Sequence, residues 1–270
     1  QILRFYSKVF SLILLFIIFF LLYLYYVIFI KEISIRNEFI LINKNQNYHS
    51  IINKNIEDTK LNLNIYKLFF RLILFNNTKI HFGKFKVGNQ NFYEITNIIT
   101  SPSDIFEKIT IIEGSSKNDL NKILNLYFNN YNEFQYDEII ADTYFFNYGT
   151  NFYDFEINLK EQFNNIRSQY QKNELLKRFS FKEILIIGSL LEKEGLDDMD
   201  KKKIFSVIIN RLNKKMKLQI DATVIYSITQ GKRNLGRNLT YKDLKIKHDF
   251  NTYHIYGLPP KPISYVGLKT

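Results

Sequence analysis

At 270 residues, 46% hydrophobic and 23% charged, the chain is long enough to bury one large core or two modest ones and too apolar to be a disordered segment. Its net charge of +11 would suit an anionic partner, but the surplus lysine arrives with abundant Ile, Asn, Phe and Tyr, all written by A/T-rich codons, so nucleic acid is not the partner to expect. Cysteine is absent, which excludes disulfides, thiolate nucleophiles and zinc-thiolate sites; His49, His81, His248 and His254 form no i,i+4 or HExxH pair, so neither a metal nor another cofactor is expected.

The first element is apolar. From Phe10 to Ile30, FSLILLFIIFFLLYLYYVIFI carries no charge, and at about 1.5 Å per residue it reaches across a hydrocarbon core of roughly 30 Å. A cleaved signal peptide would have a shorter apolar region and a small-residue cleavage site. Arg4 and Lys8 precede the span, whereas Lys31 and Arg36 are offset by Glu32 and Glu38 after it. The expectation is a cytoplasmic tail over 1–9, a single-pass helix over 10–30 in the cytoplasmic (inner) membrane, and an extracytoplasmic or periplasmic remainder. The chain starts on Gln1 and ends on VGLKT, which suggests a fragment.

Residues 39–55 read as a strand followed by a helix, and KIHFGKFKVG alternates Phe82, Phe85 and Val87 as a strand does. In SPSDIFEKIT, Ser103 and Asp104 before a short apolar run suggest a helix start, and ITIIEG a short strand closed by Gly114. Residues 39–110 are thus expected to form a small α+β module. Beyond it, SSKNDLNKILNLYF and 153–177 have helical spacing, with ADTYFFNYGTN between them as a turn around Gly149 and Asn151.

SFKEILIIGSLLEKEGL begins with Ser180 and Glu183 in capping-box spacing and reaches Gly195 as its expected end. Ile187, Leu190 and Leu191 lie seven, four and three residues before Glu194 and share its face, whereas Glu192 lies over Gly188 and Ser189. A carboxyl held against apolar neighbours has a raised pKa, as a general acid requires. From periodicity alone, the two glutamates read more simply as a solvated helix end. In LQIDATVIY, Gln219 and Asp221 alternate with Leu218 and Ile220, so Asp221 can cap the next helix, border a cleft, or do both. Arg211, on the helix of Ile204, Val207, Ile208 and Leu212, suggests a structural ion pair. NTYHIYGLPPKPI is a stiff loop suited to the edge of a groove.

The EKE helix end, VIINRL, LQIDATVIY, NTY and GLPP, in that order, resemble the signature of the MltG/YceG-like family of membrane-anchored endolytic murein transglycosylases. Looser similarity extends through ADTYFF, IIEG and FGKFKVG, covering roughly 39–270. The resemblance implies an α+β fold: a LysM-like subdomain over 39–110, then a catalytic domain over 111–270 that is C-terminally incomplete, since family members continue with further strands and a helix. It makes Glu194 the catalytic acid/base. The residues expected to bind substrate are Gln219, Asp221, Thr223, Tyr226, Asn251, Tyr253, Gly257 and Pro259, with Glu192 a surface or supporting group. Three positions depart from the pattern: Ala222 stands for a proline, Gly195 follows the acid, and Lys261 replaces a glycine after GLPP.

The implied reaction cleaves the MurNAc-β-1,4-GlcNAc bond within glycan strands and leaves 1,6-anhydro ends, with peptidoglycan as substrate and peptidoglycan synthases as the protein partners to look for. A hydrolase would need a second carboxylate, for which Asp221 is the candidate. A non-catalytic cell-wall scaffold is the other competing class.

Overall fold

The computed structural model describes residues 2–75 and 79–270 and divides into two compact units, Gln1–Glu107 with Phe146–Thr150, and Lys108–Phe145 with Asn151–Thr270. In the first, helix α1 (Ile2–Tyr25) passes into a π-helical turn, Tyr26–Ile30. Phe5–Ile30 is long and apolar enough to cross a membrane, with mean hydropathy 2.9, and no second such helix occurs among the described residues. Its side chains are exposed from Phe5 through Tyr23. From Leu24 on, the i,i+3,i+4 face of Leu24, Val27 and Ile28 turns into the unit's core with Ile40, Ile52, Tyr66 and Phe92.

Strand β1 (Ser34–Ile35) pairs antiparallel with β3 (Ile56–Glu57), and β2 (Phe39–Ile42) with β4 (Gly83–Lys86), setting Phe39 opposite Lys86 and Ile42 opposite Gly83. The expected strand and helix over 39–55 are β2 and α2 (Tyr48–Asn55), with Ile40 and Ile42 facing inward. Helices α3 (Lys60–Phe75) and α4 (Phe92–Ile99) complete the unit. Asp58 ties it to the end of α1: its carboxylate accepts from Lys31 Nζ at 2.7 Å, Tyr66 Oη at 2.7 Å and Asn62 Nδ2 at 2.9 Å, while Tyr23 Oη donates to Asn62 Oδ1 at 2.6 Å. Burial would raise the Asp58 pKa, but the bonds from Lys31, Tyr66 and Asn62 outweigh it and hold it at about 2.

No helix starts at Ser103. Its hydroxyl donates to Lys84 O at 2.6 Å and accepts from Ile105 N at 3.2 Å, closing a turn that delivers the chain to strand β5 (Phe106–Thr110). The aromatic stretch expected as a turn is also a strand, β6 (Thr143–Asn147), paired with β5; only after it does Gly149 turn the chain, at φ 80°.

The second unit is mainly helical: α5 (Lys117–Tyr127), α6 (Phe152–Gln169) with two short 3-10 turns after it, α7 (Phe181–Glu194), α8 (Asp198–Asn213), α9 (Asp221–Thr229) and α10 (Tyr241–Leu244). α7 is its axis, buried continuously from Leu185 to Leu191. Ile187, Leu190 and Leu191 pack with Ile208 of α8, Leu218, Ile220 and Ile263, while Leu185 packs with Ile140, Phe163 and Val266. Each such burial contributes about 1.5–3 kcal/mol. Gly188 lets the 263–267 segment cross α7 closely, since a Cβ there would lie 2.7 Å from Val266 Cγ1. The segment is fixed by Ile263 N donating to Ser189 Oγ at 3.1 Å and by Tyr265 Oη donating to Phe134 O at 2.8 Å.

Candidate active site

α7 starts at the expected capping box: Ser180 N donates to Glu183 Oε2 at 2.8 Å, and Glu183 N to Ser180 Oγ at 3.2 Å. Fourteen residues on, Glu194 is its last helical residue. Gly195 does end the helix, but with φ −87° it needs no left-handed freedom; a Cβ there would meet Lys201 Cγ at 2.5 Å, so the glycine serves the close return of α8. Glu194 keeps one side open to solvent, while its helical neighbours Leu190 and Leu191 lie in the packed core.

The loop from α8 to α9 brings the second part of the site. The Arg211 guanidinium donates to Leu218 O, so the expected ion pair is instead a side-chain clamp on this loop's carbonyl. Gln219 is left-handed at φ 54°, which breaks the expected extended alternation; its N–H donates to Thr252 O at 3.1 Å and its side chain is exposed. Asp221 does not cap α9. It is the first residue of the helix, and its Oδ1 accepts a 2.7 Å hydrogen bond from Tyr253 Oη. Ala222 N–H donates to Glu194 Oε1 at 3.3 Å, so the α9 N-terminus and the α7 C-terminus meet at this carboxyl.

The electrostatics follow from that meeting. Desolvation pushes the Glu194 pKa up, the Ala222 N–H opposes it, and the nearby Asp221 charge raises it further, with a net upward shift. Tyr253 is pushed up to about 12, first because its proton is held by Asp221, then by burial and by the Asp221 and Glu194 charges, against Arg211. Glu194, Asp221, Tyr253 and Arg211 thus form one electrostatic group. A raised carboxyl facing solvent can give up and retake a proton, while the Asp221–Tyr253 pair offers oriented polar atoms beside it.

The remaining expected residues fall into two sets. Thr223 is fully buried: its hydroxyl donates to Ile220 O at 2.6 Å and lies 2.8 Å from Thr252 Oγ1. Asn251 is also fully buried, donating to Leu244 O at 3.1 Å and Ile246 O at 2.7 Å and accepting from Tyr253 N at 2.9 Å. Both shape the loops that carry Asp221 and Tyr253, and neither offers its side chain to solvent. Tyr226 packs 4.7 Å from Phe250. Pro259 is buried, and Gly257 turns the loop at φ 80° beside a shallow depression of 460 Å³ lined by Leu212, Lys215, Met216, Tyr256 and Gly257. Glu192 is not a surface group: its side chain is 3% exposed, pairs with Lys201 Nζ at 2.7 Å and accepts from Gly267 N at 3.1 Å. Composition did not point to Thr252 or the Ala222 N–H, because both act through contacts distant in sequence.

A separate apolar cavity of 390 Å³, lined by Ile166, Tyr170, Phe181, Gly188 and Val266 among others, includes none of Glu194, Asp221 and Tyr253. Among the described residues, no group of three or more His, Asp or Glu is placed to hold a metal ion.

Residues 40–270 match the model of the family described as YceG-like. An endolytic murein transglycosylase of Bacillus subtilis (strain 168) is 39% identical over 104 residues, 38% of this chain. One of Streptococcus pneumoniae (serotype 2, strain D39) is 38% identical over 101 residues, 36% of this chain. The chain spans 27% of the first relative's length and 18% of the second's. A 2.6 Å crystal structure of a yceG-like protein from Listeria monocytogenes has the same fold, with TM-score 0.51 at 22% identity over 85% of this chain and 86% of that one.

Proposed function

This chain belongs to the YceG-like family, and we propose that it is a membrane-anchored endolytic murein transglycosylase with Glu194 as its acid/base. The observation that carries this reading is the Glu194 carboxyl itself, raised in pKa at the junction of α7 and α9 and open to solvent. Protonated Glu194 donates to the glycosidic oxygen as the bond from MurNAc C1 to that oxygen breaks. The resulting carboxylate takes the proton of the MurNAc 6-hydroxyl as that oxygen bonds to C1. The glycan then ends in a 1,6-anhydro ring and Glu194 is again protonated, with no water consumed. Asp221 and Tyr253 orient the sugar beside the acid, and exposed Gln219 adds an amide suited to its hydroxyl and acetamido groups. Positioned acid/base catalysis supplies roughly 10²–10⁴ in rate.

The relatives' names support the substrate class. In the first unit, β2 and β4 pair antiparallel with α2 and α3 between them, interrupted only by the two-residue β3, and this supports a LysM-like, glycan-binding subdomain over 39–110 ahead of a catalytic domain over 111–270. The apolar helix supports a single-pass anchor, with Arg4 and Lys8 on the cytoplasmic side and the catalytic part outside it. Peptidoglycan synthases are the partners such an enzyme would accompany.

A second reading, hydrolysis, is favoured by one observation, the charge of Asp221 beside Glu194. Mass spectrometry of purified glycan strands incubated with the protein separates the two. Anhydro products, absent with Glu194→Gln, support the transglycosylase; reducing-end sugars shift the assignment to a hydrolase using Asp221, and no cleavage leaves a glycan-binding scaffold.

A further inference from the structure

We propose that α3 is a membrane-interface helix, so that the first unit sits partly immersed in the outer leaflet rather than standing off on a stalk. The inference rests on the anchor reading of α1.

Three observations converge on it. At about 100° per residue, Leu61, Leu68, Leu72 and Phe75 fall within about 60° of one another on α3, and they are 59%, 59%, 61% and 88% exposed. The core-facing side of the same helix is already occupied by Asn62, Ile65, Tyr66 and Phe70, so this stripe is a second apolar face that the fold leaves uncovered. Lys60, Lys67 and Arg71 project from the adjoining side, as they do on helices that lie at anionic headgroups.

α3 is tied to the end of the apolar span. Tyr23, inside the apolar span, bonds to Asn62 of α3, and Phe29 packs 6.0 Å from Phe69. Near the same end, Tyr25, Tyr26 and Ile30 remain 50–56% exposed. These aromatic and apolar side chains continue the exposed surface of α1 toward the unit.

The length of the anchor accommodates this placement. Between Lys8 and the point where Tyr23 bonds to α3, the stretch Val9–Leu22 measures about 21 Å at about 1.5 Å per residue. A hydrocarbon core is about 30 Å thick. The Lys8 stem can reach back to its headgroups and recover part of the difference. The rest is met when the end of α1 and the α3 stripe packed beside it enter the leaflet, at the roughly 5–10 Å depth of an interfacial helix.

The absence of cysteine makes the test direct. Single variants Phe16→Cys, Leu68→Cys, Leu72→Cys and Lys54→Cys of the whole chain, each at an exposed position, are labelled with an environment-sensitive fluorophore. They are reconstituted in phosphatidylcholine/phosphatidylglycerol vesicles carrying spin-labelled lipids. Quenching at 68 and 72 is expected to fall between the deep signal at 16 and the aqueous signal at 54. Labels at 68 and 72 that match 54, with 16 quenched, would overturn the interfacial helix and leave the anchor standing. An unquenched label at 16 would remove both.

Discussion

Tyr253 Oη donates to Asp221 Oδ1 over 2.7 Å, joining the loop after α10 to the first turn of α9 across 32 residues of sequence. The bond holds one Asp221 oxygen in a fixed direction beside Glu194. Hydrogen bonds to charged groups contribute about 1.5–3 kcal/mol; partial exposure here argues for the lower end. Tyr253→Phe is therefore expected to lower the melting temperature by a few degrees and, by freeing Asp221 beside the acid, to lower kcat. Asp221→Asn should retain anhydro products if the MurNAc 6-hydroxyl is the nucleophile, and steady-state kinetics with product analysis checks both.

Glu194→Gln separates function from stability. The folded-state pKa of Glu194 lies above its ordinary 4.5, so the fold disfavours the charged form. The cost is absent below 4.5, grows as pH rises toward the folded value, and is constant above it. The substituted amide never ionises, so the variant is expected to lose cleavage while melting at or above the wild-type temperature at pH 7. That advantage should vanish at pH 4, where the wild-type carboxyl is neutral in both states. Thermal melts at the two pH values test the sign; a variant less stable at pH 7 than at pH 4, relative to wild type, contradicts it.

Ala222 stands where the resembling pattern has proline, and its N–H is the donor that lowers the Glu194 pKa against desolvation. Proline has no N–H and is tolerated in the first turn of a helix. Ala222→Pro should therefore raise the Glu194 pKa. A general acid is active while protonated, so the alkaline limb of kcat/KM should move to higher pH, by an amount kept small by the 3.3 Å length of the bond. A limb that stays in place would show that this N–H does not tune the acid.

The place of Glu194 at the end of α7 was legible because one helix carries the whole signal: a capping box sets the phase, and apolar residues three, four and seven back show which face the carboxyl shares. The same method left Glu192 open between a surface and a supporting group, and the structure excludes the surface one. Gly188 and Ser189 look like a polar side, but they are small because Val266 and Ile263 pass directly over them, so that side is buried too. The β5 start was hidden because Ser103 turns its hydroxyl to Lys84, a partner that local spacing cannot reveal. Gln219 in the left-handed region, and Thr252 holding Thr223 and Ile220, likewise depend on contacts about 30 residues apart. Those long-range bonds decide which of the expected polar residues face solvent.

The Glu192–Lys201 pair gives a stability prediction of its own. Their side chains are 3% and 15% exposed, and the carboxylate also accepts from Gly267 N, so it fastens the end of α7 to α8 and to the 263–267 segment. Removing one partner of a buried pair leaves an uncompensated charge and costs about 3–5 kcal/mol. Lys201→Ala is expected near the lower figure, because Gly267 still serves one oxygen. Adding Glu192→Gln removes the stranded charge while keeping an acceptor for Gly267, so the double variant should recover part of the loss. Denaturant melts of the single and double variants read this coupling directly; purely additive losses would mean that the two side chains stabilise the fold independently.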